Sequence, residues 1–122
     1  MKLEKQVCSL KLSKKLKELG VKQESLWYWV WTSEFGRYEL YLGDSEEIGK
    51  EALKDFPGNY TSAFTVAELG EMLKETRPEL DNPFPSYGLI TKRWFLLTED
   101  GNIEAKTEAN ARAKTIIYIK GI

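Results

Sequence analysis

Six large apolar residues stand in a row at Leu26-Trp27-Tyr28-Trp29-Val30-Trp31, and they hold three of the chain's four tryptophans. Aromatic and β-branched residues favour extended backbone, and only Leu26 in this run is a strong helix former. A strand sends alternate side chains to opposite faces. Leu26, Tyr28 and Val30 then point one way, and Trp27, Trp29 and Trp31 the other. Either both faces are covered or one is a binding surface. That choice governs how the rest of the chain is read.

The run is the first arm of a hairpin. Ser33-Glu34-Phe35-Gly36 forms the loop, with a glycine where positive φ is needed. Arg37 to Leu42 returns. Tyr38, Leu40 and Leu42 alternate with Arg37, Glu39 and Tyr41, the pattern of a half-buried strand. We assign the tryptophans to the face that carries Arg37, Glu39 and Tyr41, with Arg37 over a tryptophan ring as a cation–π pair. The expected binding face is therefore Trp27, Trp29, Trp31, Arg37 and Tyr41.

Composition limits what such a chain does. At 122 residues with 42% hydrophobic content, one domain with its own core is expected, without a disulfide or metal staple. The single cysteine, Cys8, cannot pair internally, which fits a reducing compartment. The chain contains no histidine. Ser-His-Asp and Cys-His catalysis, histidine acid–base chemistry and histidine-based zinc sites are thereby removed. No glycine-rich phosphate loop or metal-ligand spacing appears, and the carboxylates read as solvated helix surface. We expect no enzyme, no cofactor and no metal.

The start, Met1-Lys2-Leu3-Glu4-Lys5-Gln6, is polar and no long apolar run follows it. No segment approaches the roughly 20 apolar residues a membrane span needs. A soluble cytoplasmic protein without a signal peptide is expected.

Charge is uneven although the net is −1. Residues 1–22 hold seven lysines against two glutamates, a balance of +5. Residues 34–81 hold twelve acids against five bases, a balance of −7. Asymmetry of this kind is either solvated helix surface or a footprint for an oppositely charged partner.

Taken in order, residues 9–19 read as a helix capped by Ser9, with Cys8, Leu12, Leu16 and Leu19 on one face and Gly20 ending it. Cys8 reads as a small buried hydrophobe, since nothing in the chain activates it. Ser45 to Lys54 reads as a short helix, Phe56-Pro57-Gly58-Asn59 as a turn, and Tyr60 to Phe64 as a brief strand. Thr65-Val66-Ala67-Glu68 is a capping box, with Phe64 and Leu69 as its hydrophobic staple. The helix it opens runs about 66–76, with Val66, Leu69, Met72 and Leu73 inward. Gly70 inside it costs up to about 1 kcal/mol against alanine, so a close helix contact is expected there. Residues 77–88, with Pro78, Pro83 and Pro85, read as the longest irregular segment. Lys92 to Thr98 is a strand, Glu99-Asp100-Gly101-Asn102 a tight turn and Ile103 to Lys106 its return. Thr107 caps a last helix in which Ala109, Ala111, Ala113, Ile116, Ile117 and Ile119 are mostly buried.

Val7-Cys8-Ser9-Leu10, the run from Lys15 to Leu26, the run from Phe64 to Leu73 and the final Thr107 to Lys114 resemble a family of small uncharacterised phage and prophage proteins of bacteria. The resemblance implies a mobile genetic element as context. It implies no chemistry, because that family carries no assigned activity.

The fold expected is α+β: two antiparallel hairpins making one sheet of about four strands, with helices mainly on one face. The far face is then open to solvent or to a partner. The function expected is a small binding or interaction module acting on an unknown protein partner or a second copy of itself, with no membrane role. The alternative is nucleic-acid binding by the basic N-terminal helix, through Lys11, Lys14, Lys15 and Lys22. Residues 13–31 align loosely with a helix-turn-helix whose recognition helix is Gln23 to Trp31. Leu16, where such motifs want a small residue, and the strand character of Trp27 to Trp31 stand against it.

Overall fold

In a computed structural model, residues 2–32, 35–43, 60–76, 84–98 and 100–121 are described. After a 3-10 turn at Leu3–Lys5 come α1 (Leu10–Glu18), β1 (Trp27–Thr32), β2 (Arg37–Leu42), β3 (Tyr60–Ala63) and α2 (Val66–Thr76). β4 (Ser86–Gly88), β5 (Arg93–Thr98), β6 (Gly101–Ala105) and α3 (Glu108–Lys120) follow. The helix at Ser45 to Lys54, the turn at Phe56 to Asn59 and the loop residues Ser33 and Glu34 lie outside the described residues.

The helix ends form as local chemistry dictates. Each α-helix leaves its first amides without intrahelical partners. Ser9 Oγ accepts from Leu12 N at 3.3 Å and opens α1. The left-handed Gly20 (φ +86°) follows it, with Gly20 N donating to Lys17 O. At α2 the capping box closes both ways. Glu68 N donates to Thr65 Oγ1 at 3.2 Å, and Thr65 N donates to Glu68 Oε1 at 2.9 Å. Thr107 Oγ1 accepts from Asn110 N at 3.2 Å and opens α3.

The strands form two antiparallel sheets of three, in the orders β2-β1-β3 and β4-β5-β6. The expectation of one sheet of about four strands is corrected here. Each hairpin takes a third strand from its own neighbourhood, and among the described residues the two sheets share no hydrogen-bonded edge. β4 lies within the segment read as irregular. Pro85 directly precedes it, a placement open to proline because β4 is a short edge strand. The outer edge of β3 is covered by a side chain. Gln23 Oε1 accepts from Ser62 N at 2.8 Å, which satisfies a buried amide.

The deep core lies among α1, α2 and α3, with Cys8 and Phe64 added from the segments that lead into α1 and α2. Cys8, Leu16, Phe64, Leu69, Leu73, Ala109, Ala113 and Ile116 form one buried cluster. Leu12, Val21, Val66, Met72, Phe84, Ile117 and Ile119 pack around it. Phe64 and Leu69, the expected staple pair, are both fully buried. The chain before α1 is stitched to the start of α2, where Cys8 N donates to Phe64 O and Val66 N to Gln6 O. No tryptophan is fully buried. Trp27, Trp29 and Trp94 are half-buried and Trp31 is exposed.

Candidate functional site: a basic cleft bordered by aromatic rings

The β1–β2 register decides which side chains share a face. Trp27 pairs with Leu42, Trp29 with Leu40 and Trp31 with Tyr38. Directly opposed residues project to the same side. The tryptophans therefore share their face with Leu42, Leu40 and Tyr38, while Arg37 and Tyr41 lie on the other face with Tyr28, Val30 and Thr32. This overturns the expected grouping of Trp27, Trp29 and Trp31 with Arg37 and Tyr41. Arg37 does not cover a tryptophan. Its guanidinium stands 5.8 Å from the centroid of the Phe35 ring and pairs with Glu39.

The tryptophan face is neither core nor free surface. The segment before α1 and α1 itself both touch it: Trp29 Nε1 donates to Cys8 O at 3.1 Å, and Lys14 Nζ stands 4.7 Å from the Tyr38 ring centroid. Beyond the helix, Tyr38 meets Trp31 edge to face at 5.4 Å and 65°. Trp31 keeps 42% of its surface open. The helix-turn-helix alignment is also corrected, because Trp27 to Trp31, the second half of its recognition helix from Gln23 to Trp31, lies in β1.

A cleft opens between α1, α3 and the β5–β6 hairpin. One compartment of about 410 Å³ is lined by Lys11, Leu12, Lys14, Lys15, Glu18, Lys114 and Ile117. A second of about 350 Å³ is lined by Ser9, Lys11, Leu12, Arg93, Ala105, Lys106, Asn110 and Lys114. Lys11, Leu12 and Lys114 belong to both, so the compartments are neighbours. Leu12 and Ile117 supply an apolar floor. Six cationic side chains surround it: Lys11, Lys14, Lys15, Arg93, Lys106 and Lys114.

Two acids temper that charge. Lys15 stands 3.7 Å from Glu18, an exposed pair of little energetic weight. Arg93 Nε lies 3.5 Å from Glu104 Oε2 without a hydrogen bond. Lys114 Nζ donates to Glu104 O at 2.8 Å, which holds the ammonium against β6. The spacing of the walls is fixed at one end, where Asn110 Oδ1 accepts from Ser9 N at 2.8 Å.

Of the residues expected to bind nucleic acid, Lys11, Lys14 and Lys15 line this cleft. Lys22 does not; it is exposed and pairs with Glu24 at 3.3 Å. Lys106, Lys114 and Arg93 were not foreseen. Lys114 and Ile117 are spaced i, i+3, so the sequence offered a basic edge on the last helix, hidden by its alanine content. Cys8 is sealed in the core, where burial pushes its thiol above its ordinary pKa, an effect partly opposed by the 2.9 Å contact with Ser13 Oγ. A thiol that is buried and raised in pKa carries little of the reactive thiolate. Among the described residues no group of three or more Cys, Asp or Glu is placed to hold a metal ion, and no helix is long and apolar enough to cross a membrane. Comparison with protein-family models, with curated proteins and with solved structures finds no match to this chain.

Proposed function

We propose that this chain is a small binding module of phage or prophage type, without a catalytic step, and that its ligand is nucleic acid held by its phosphates along the α1/α3 cleft. The observation that carries this reading is the convergence of six cationic side chains, drawn from both ends of the chain, on one apolar-floored groove. Clefts lined by one sign of charge between low-dielectric walls concentrate the field and raise the local concentration of counter-charged ligand. A phosphate backbone presents repeated negative charge, and lysine contacts to it release condensed counterions.

The test is fluorescence anisotropy of labelled oligonucleotides with the intact protein across a sodium chloride series. Roughly four lysine–phosphate contacts give a log–log salt slope of about −3 for a single strand. Lys11→Glu and Lys15→Glu each weaken binding to every sequence and flatten the slope by about 1. Lys22→Glu, off the cleft, changes neither. Absence of binding at low salt, or equal losses for Lys11→Glu and Lys22→Glu, refutes the reading.

A second reading, contact with a protein or a second copy, is favoured by the β4–β5 hairpin. Leu89, Ile90 and Leu97 there are 84%, 98% and 71% exposed. Light scattering after size exclusion tests self-association directly, and a strict monomer removes the second-copy form of this reading.

A further inference from the structure

The lysines of the cleft lead to exposed rings. Lys14 lines the larger compartment and its ammonium also stands 4.7 Å from the centroid of the Tyr38 ring. Tyr38 in turn carries Trp31 against its edge at 5.4 Å. Trp31 and Tyr38 are cross-strand partners on one face of the sheet, so the ring that Lys14 approaches is also the ring that Trp31 touches. With 42% of its surface open, the Trp31 indole belongs to no closed core. Lys14 thus joins the cleft it lines to the Tyr38 ring, and Tyr38 joins that ammonium to the Trp31 indole.

That order of groups discriminates between nucleic acids. A duplex keeps its base faces stacked on one another and offers a protein only phosphates, sugars and groove edges. Rings beside a basic groove gain nothing from it. A single strand can splay a base onto an aromatic face while its backbone follows the cations, the arrangement by which strand-binding grooves work. Carboxylates of an acidic peptide meet the lysines equally well, but they make no use of the rings.

Resting on the reading of the cleft as a phosphate site, we propose that the ligand is single-stranded nucleic acid, with a base stacked at Trp31 beside Tyr38 and its backbone running past Lys14 and Lys11 towards Lys114. Trp31 sets the preference for a single strand, and the lysines set affinity.

The experiment compares oligouridylate, oligothymidylate and a duplex of equal length, with heparin and polyglutamate as charge controls, all against the intact chain in one buffer. The single strands bind at least about tenfold tighter than the duplex. Trp31→Leu removes about tenfold of single-strand affinity. It leaves duplex and heparin binding unchanged, and Trp31→Phe restores most of the loss. Thermal midpoints establish that each variant is folded. If Trp31→Leu is not, the emission difference between the wild type and Trp31→Phe replaces it, and quenching of that difference by single strands but not by duplex is the expected result. Equal affinities for strand and duplex, no quenching, or a Trp31→Leu loss shared by heparin overturns this proposal while leaving the phosphate reading standing. Binding of heparin or polyglutamate with no binding of any nucleic acid overturns both.

Discussion

Gly70 sits buried in the middle of α2, where glycine is about 1 kcal/mol worse than alanine. Taken alone, Gly70→Ala stabilises the protein. The structure reverses the sign. A Cβ at Gly70 overlaps Arg112 Nη1 of α3 and stands 3.6 Å from the Phe84 ring. Arg112 is not free to swing away. Its Nη1 donates to Val66 O at 2.9 Å, its Nη2 donates to Glu108 Oε2 at 3.2 Å, and its guanidinium stands 4.7 Å from the centroid of the Phe84 ring. Only 17% of the Arg112 side chain is open to water.

Displacing the guanidinium forfeits a charged hydrogen bond of about 1.5–3 kcal/mol and weakens a cation–π contact of about 0.5–2 kcal/mol. Against the helical gain of about 1 kcal/mol, Gly70→Ala is net destabilising by about 1–2 kcal/mol. In a chain of this size that is a fall of very roughly 4–8 °C in thermal midpoint. The decisive assay is a double-mutant cycle followed by urea and thermal unfolding. With Arg112→Ala in place the obstruction is gone, and Gly70→Ala stabilises by about 1 kcal/mol. The coupling between the two sites is then about 2–3 kcal/mol. A Gly70→Ala protein more stable than the wild type, or equal effects of Gly70→Ala in both backgrounds, refutes the argument.

Two further expectations concern residues outside the cleft. Glu68 serves two backbone amides, accepting from Thr65 N through Oε1 and from Leu26 N at 3.2 Å through Oε2. Glu68→Ala therefore costs about 1–2 kcal/mol by urea unfolding, beyond a simple cap loss, whereas Glu68→Gln, which keeps an acceptor, costs less. Because burial raises the folded pKa of Cys8, the unfolded thiol ionises first as pH climbs. Stability is intact below the ordinary thiol range and falls as pH rises through about 8.5 and beyond. Subtracting the stability-versus-pH curve of Cys8→Ala isolates the effect, and parallel curves for the two proteins contradict it. The same burial leaves Cys8 silent to a thiol reagent until the chain is unfolded.

What the sequence disclosed and what it hid divide along physical lines. Ser9, the Thr65–Glu68 box and Thr107 were legible because a cap is settled within four residues. The two hairpins were legible because alternation and turn chemistry are local as well. Their face assignment failed on a detail the sequence did contain. Four residues lie between Thr32 and Arg37, so odd-numbered residues of β1 oppose even-numbered residues of β2. Counting across the loop places Trp31 with Tyr38, not with Arg37 or Tyr41. β4 was hidden by the prolines that precede it, and the separation into two sheets depends on contacts that no local pattern encodes. Helix packing put the deepest core among α1, α2 and α3, which left the aromatic run half covered.

The cleft was hidden for a different reason, and it shows what charge counting measures. The excess of +5 in residues 1–22 suggests a basic N-terminal arm. Folding disperses much of it. Lys17 turns inward, donating to Tyr60 O at 2.7 Å with its ammonium 4.9 Å from the Tyr60 ring, and burial lowers its pKa. Lys22 stays exposed beside Glu24, away from the cleft. Lys11, Lys14 and Lys15 alone would make an ordinary solvated helix face. They become one wall of a groove because Ser9 bonds Asn110, a hundred residues away in sequence, and thereby sets Lys106 and Lys114 opposite them. A ligand that bridges those walls touches both ends of the chain, so its binding energy is also energy for holding α1 against α3. The local field between two packed helices, not the net charge of −1, is the quantity that decides whether this chain holds a polyanion.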